Sequence, residues 1–297
     1  MWYNSEVIIT NTYTESENMT PFEQFINMLR APMTRPPMFG VWHLGFLLLT
    51  VAACIFSAWK CKDASDKTVR RILLITWISL VIMEIYKQVI FSMRVTYGYA
   101  EWQYQWYSFP FQLCSAPLYT LPFLVWLKEG RLRNAIASYM ATFSLFGGLA
   151  VMIYPGDVFS DIIGINVQTM LHHGMQVVIG VIMVVCYRRK LNKGFFLGGL
   201  ITFTFFSALA MIFNVVVQKA LIANQINMVV NMFYISPYHP STLPVLSAIY
   251  PHVPYAVFLL IYLLGFAAVS AVILFVEKAA VFLAGRKRRA DERYEAQ

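Results

Sequence analysis

Long apolar runs separated by short basic or aromatic connectors set the pattern of this chain. Seven runs, 39–59, 72–93, 109–127, 134–153, 166–187, 195–217 and 255–276, each have roughly the 20 residues a helix needs to cross a hydrocarbon layer about 30 Å thick. A backbone in lipid must satisfy its own hydrogen bonds, which favours helices. The runs are too long for barrel strands of about 10 alternating residues. The pattern therefore predicts an all-α, polytopic membrane helix bundle with seven transmembrane helices. It divides the chain into an N-terminal segment 1–38 outside the membrane, a membrane domain 39–276 and a basic tail 277–297.

The connectors carry their own signals. Residues 1–18 are polar and expected to be loosely ordered. Thr20-Pro21-Phe22-Glu23 combines a capping threonine, a proline at the first helical position and a glutamate at the third, the pattern of a capping box. Phe22, Phe25, Ile26 and Leu29 follow at helical spacing. A short amphipathic helix at 21–30 is expected, suited either to the outer membrane face or to packing on the outer loops. Loop 94–108 is rich in Tyr and Trp, which favour the membrane interface. Pro110, Pro117 and Pro122 predict an irregular third span, because proline removes a donor and kinks a helix. The longest connection, 218–254, is too apolar for disorder and is expected to fold back over the outer mouth of the bundle.

Composition and charge fix the topology. Hydrophobic residues make up 59% of the chain and charged ones 13%, which excludes a soluble globular enzyme and a disordered chain. Only Glu84 and Lys87 are charged within a span. Of the 23 Lys and Arg residues, eighteen fall in loops 60–71, 128–133 and 188–193 and the tail, and four fall on the other side. By the positive-inside rule the N-terminus lies outside and the C-terminus in the cytoplasm. The expected location is the cytoplasmic membrane, as a multi-pass protein. Topology accounts for nearly all of the net charge of +8, so no nucleic-acid partner is expected. Cys54, Cys114 and Cys186 lie in spans and Cys61 in an inner loop, which gives no disulfide framework and no metal-ligand spacing. No metal and no cofactor motif is read from the sequence.

Polar residues in a membrane are costly and face the bundle interior or a cavity. At about 1.5 Å per residue, those of five spans fall in one slab, about 5–15 Å below the outer end. They are His43, Glu84, Lys87, Gln112, Cys114, His172, His173, Gln176 and Asn214. Glu84 and Lys87 are i, i+3 neighbours and able to pair. Gln168, His172 and Gln176 form a polar stripe, with His173 about 100° away. A buried thiol is inert unless a base or a positive charge stabilises its thiolate. Cys114 has candidate bases in His172 and His173, and Lys87 as a candidate positive charge. Asn214, Asn227 and Asn231 are candidate donors to an oxyanion, and Glu84, Gln112 and Gln176 are candidate supporting residues. Cys54 and Cys186 have no such neighbours and read as packing residues.

Phe109-Pro110-Phe111-Gln112-Leu113-Cys114, followed by His172-His173-Gly174 on a later helix, resembles the YwaF family of bacterial seven-helix membrane proteins, which includes the animal transmembrane protein 164 acyltransferases. The Glu84-x-x-Lys87 pair, Asn231-Met232-Phe233-Tyr234 and the proline-aromatic lead into the last span fit the same pattern. The sequence departs from it at Gln112, where a histidine is expected. The resemblance implies acyl transfer between phospholipids, with Cys114 as the acyl-accepting nucleophile and His172 or His173 as base. The function expected is therefore an integral membrane acyltransferase or thiol-dependent lipid acyl hydrolase, with membrane phospholipids as substrate or ligand. The competing readings are a transporter or a small-ligand or lipid-binding membrane protein that uses the same cavity without covalent chemistry, and a structural protein in which the slab is interhelical glue.

Overall fold

The computed structural model describes residues 19–96 and 99–295. The polar segment 1–18, with its expected loose order, and Tyr97 of the aromatic loop lie outside the described residues. Ten helices are labelled in chain order: α1 (Pro21–Leu29), α2 (Val41–Cys61), α3 (Asp66–Ser92), α4 (Ala116–Trp126), α5 (Arg131–Tyr139), α6 (Leu145–Ile153), α7 (Ile163–Cys186), α8 (Lys193–Ala223), α9 (Leu246–Ile249) and α10 (Tyr255–Glu295). A π-helical turn, Met140–Ser144, joins α5 to α6.

Among the described residues, six helical segments are long and apolar enough to cross a membrane: α2, α3, Arg131–Ile153, α7, α8 and Tyr255–Arg286 of α10. Arg131–Ile153 and α7 are mostly buried, and the other four are buried over a third of their length or less. The exposed faces carry large apolar residues such as Leu48, Ile55, Ile82, Ile212 and Leu264. Helix α7 packs against α2, α3 and α6, while α5 packs against α8 and α3 against α4.

The third predicted span differs from a full crossing helix. It is an extended Phe109–Gln112 stretch, a 3-10 turn Leu113–Ser115 and the eleven-residue α4. The prolines explain this. Pro122 has no N–H for the carbonyl of Leu118, and the Trp77 indole on α3 donates to that oxygen instead, at 2.9 Å. The carbonyl of Pro110 is satisfied by the Tyr119 hydroxyl at 2.7 Å. Side chains thus replace the bonds that the helix lacks, as buried irregular backbone in a membrane protein requires.

The aromatic loop contains a feature the all-α reading missed. Strands Met93–Thr96 and Tyr99–Trp102 pair antiparallel, with Arg94 opposite Glu101. An opposite-charge cross-strand pair supports this register. Helix α1 carries the capping box: Thr20 N–H donates to Glu23 at 2.7 Å and Glu23 N–H to the Thr20 hydroxyl at 3.3 Å. It buries Glu23 and Ile26 while Phe22, Phe25 and Met28 stay exposed. Its end is tied to the bundle by the Tyr86 hydroxyl, which donates to the Leu29 carbonyl at 2.8 Å, and by Arg30, which donates to the carbonyls of Ile90 and Met93.

Candidate active site

Cys114 lies in the 3-10 turn that leads into α4. The turn is held by a neighbouring aromatic cluster, in which Phe111 sits 5.1 Å from Phe213 and 5.9 Å from Phe233, ring centre to ring centre.

Helix α7 brings His172 to this turn, with His173 beside it. His172 Nε2 lies 2.8 Å from the main-chain oxygen of Cys114. A carbonyl oxygen only accepts, so Nε2 carries the proton and Nδ1 keeps the free lone pair. His173 has the opposite tautomer: its Nδ1–H donates to the Thr169 carbonyl at 2.6 Å, which leaves Nε2 free. His172 Nδ1 and His173 Nε2 are both buried without a partner among the described residues. The two rings are 5.4 Å apart. Close helix approach makes this arrangement possible. A Cβ on Gly174 would sit 2.6 Å from the Thr50 hydroxyl of α2, and one on Gly148 would sit 3.1 Å from the His173 carbonyl.

Glu84 and Lys87 pair at 2.9 Å. Gln88 donates to Glu84 at 2.7 Å and to the Ser108 carbonyl at 2.7 Å, which ties α3 to the segment leading to Cys114. The second carboxylate oxygen of Glu84 is buried and unpartnered. Gln176 donates to the carbonyl and hydroxyl of Ser144, at 2.9 and 3.0 Å. Ser144 ends the π-helical turn, where a widened turn disturbs the regular bonding and polar side chains step in. Gln88 was legible as an i, i+4 partner of Glu84. Ser144 and the π-helical turn have no comparable sequence signal.

The other expected site residues serve the outer connection. Gln112 accepts from Phe233 N–H at 2.7 Å and donates to the Asn231 carbonyl at 3.0 Å. Asn214 accepts from Met232 N–H at 2.7 Å and donates to its carbonyl at 3.0 Å. Both amides hold a tight turn in which Phe233 and Tyr234 adopt φ of 56° and 59°, a left-handed conformation that non-glycine residues keep only when the surroundings fix it. Asn231 braces the same connection, accepting from Ser236 N–H and donating to the Pro240 carbonyl, each at 2.9 Å. Asn227 is exposed. Of the three expected oxyanion donors, Asn214 and Asn231 have their amides engaged by backbone and Asn227 is exposed. His43 is also structural, bonded through both nitrogens to Phe39 N–H and the Met152 carbonyl.

Six apolar helices around a buried polar cluster define a polytopic α-helical membrane protein. The TMEM164 family model matches residues 38–278, and the chain belongs to the TMEM164 family. No curated protein and no solved structure matches the chain significantly.

Proposed function

We propose that this protein is an integral-membrane acyltransferase, with acyl hydrolysis as the outcome when water is the acceptor, acting on phospholipid acyl chains. One observation supports the reading: His172 reaches the Cys114 main chain at the start of a short helix, His173 lies beside it, and each imidazole keeps a buried basic nitrogen without a partner among the described residues. The resemblance of the Phe109–Cys114 and His172–Gly174 motifs to acyl-transferring relatives supports the same reading. Cys114 Sγ attacks the ester carbonyl of a phospholipid, and its proton passes to the free nitrogen of His172 or His173. The tetrahedral intermediate collapses to a Cys114 thioester, and the leaving lysophospholipid alkoxide takes the proton back from the imidazolium. A second lysophospholipid hydroxyl, or water, then attacks the thioester and regenerates the thiol. Splitting the transfer in two is the gain of a covalent nucleophile.

In this reading α4 and its lead-in complete a seventh crossing, the N-terminus faces outward and the tail lies in the cytoplasm. The protein resides in the cytoplasmic membrane and takes lipid from the outer leaflet. The Glu84–Lys87 pair sets the charge beside the thiol, and Gln112, Asn214 and Asn231 fix the connection over the site. The test is phospholipid remodelling in cells that carry wild type or Cys114→Ala at equal membrane abundance. Loss of acyl exchange in the variant supports the proposal, and unchanged exchange refutes it.

A further inference from the structure

A pocket opens at the other end of the bundle from Cys114. Cys186 lines it and lies fourteen residues beyond His172 on α7, about 21 Å along the helix. The cavity measures about 460 Å³, and its lining holds five cations against three carboxylates. The cations are Lys62, Arg133, Arg188, Arg189 and Lys190. A topology signal needs basic residues only on exposed loops. Here three loops converge on one cavity, and the Arg133 guanidinium is 4% exposed. A buried guanidinium is retained only with partners. Asp66 supplies one at 2.6 Å and the Leu124 carbonyl another at 3.2 Å. The same Asp66 binds Arg70 at 2.6 Å, Asp63 pairs Arg188 at 3.4 Å and Glu129 pairs Lys190 at 3.7 Å, which leaves Lys62 and Arg189 as the lining cations in excess of the carboxylates. Arg133 Nη1, Lys62 Nζ and the Arg189 guanidinium have no side-chain hydrogen bond among the described residues. Arg188 braces the rim by donating to the Lys62 carbonyl at 2.6 Å.

We infer that this pocket is an anion site for a phosphate group, either a phospholipid headgroup phosphate or free phosphate. A planar guanidinium with an open N–H edge suits the tetrahedral oxyanion, and the flanking lysines add point charge. The site lies where apolar helix ends give way to basic loops, the level of a lipid headgroup. It is separate from the Cys114 site and stands whatever chemistry that site performs.

The test uses the purified full chain in neutral detergent. Thermal unfolding is followed with inorganic phosphate against chloride at matched ionic strength, and with short-chain phosphatidate against the same-chain neutral glyceride. A Lys62→Gln/Arg189→Gln variant changes two exposed side chains and so spares the fold. The expected result is a saturable rise in the unfolding midpoint that needs about tenfold more probe in the variant. A rise with inorganic phosphate assigns the site to free phosphate, and a rise confined to phosphatidate assigns it to the headgroup. Absence of a saturable rise with both probes, or identical curves for wild type and variant, overturns the inference.

Discussion

His172 touches Cys114 through the backbone: its Nε2 is 2.8 Å from the Cys114 main-chain oxygen. The nitrogen nearest the cysteine is thus a donor that positions the turn. The basic atom is the one across the ring, and His173 offers a second basic nitrogen 5.4 Å away, ring to ring.

The two roles separate by substitution. Gln places an amide N–H where His172 Nε2 lies, and Asn does the same for His173 Nδ1. His172→Gln keeps the bond to Cys114 and His173→Asn the bond to Thr169, and each removes one free lone pair. The variant that loses the working base is expected to lose about 10²–10⁴-fold in acyl-exchange rate with unchanged folding. Rates in purified variants decide it, and full activity in both would leave the imidazoles with positioning roles alone.

The Glu84–Lys87 pair is expected to behave as one unit. Lys87→Met leaves a carboxylate buried without its partner, a loss of about 3–5 kcal/mol. Glu84→Gln with Lys87→Met recovers most of that stability. Chemical unfolding of wild type, both single variants and the double variant in detergent checks this, and additive losses would show that the pair is not coupled.

Gln112→Ala removes two bonds from the outer connection, each worth about 0.5–1.5 kcal/mol. The turn at Phe233 and Tyr234 should open. Hydrogen exchange at residues 228–236 is expected to speed up while α7 keeps its protection. Equal protection in wild type and variant contradicts the clamp.

The outer connection is also expected to weaken in acid. His239 donates Nε2–H to Gln218 Oε1 at 2.9 Å, and partial burial lowers its pKa below the ordinary value of 6.5. The unfolded connection therefore binds the proton first, and stability is lost as pH falls through about 6.5. Limited proteolysis within 224–254 should increase below that pH, and His239→Gln should flatten the response. A pH-independent cleavage rate argues against it.

Much of the fold was legible because apolar run length is a direct consequence of lipid thickness. The six long helices and the irregular third span follow from that and from Pro110, Pro117 and Pro122. The Met93–Trp102 hairpin was not legible, since an interface-rich aromatic loop masks a short alternating pattern. For the site, helix depth placed Cys114, His172 and His173 in one slab, and the structure adds the contact of His172 with the Cys114 main chain. Depth gives no rotation about the helix axis and no hydrogen-bond partner. That is why the clamp of Gln112 and Asn214 on the 231–234 turn was not legible, and why His43 fell in the same slab while both its nitrogens serve backbone.

The central claim is a covalent acyl group on Cys114. Intact-protein mass spectrometry of the lipid-reconstituted protein, with and without hydroxylamine and beside Cys114→Ala, tests it most directly. The account predicts an added fatty-acyl mass that hydroxylamine removes and the variant lacks. No adduct during incubation with phospholipid, together with a Cys114 that does not react with a lipid-soluble thiol reagent, would contradict it.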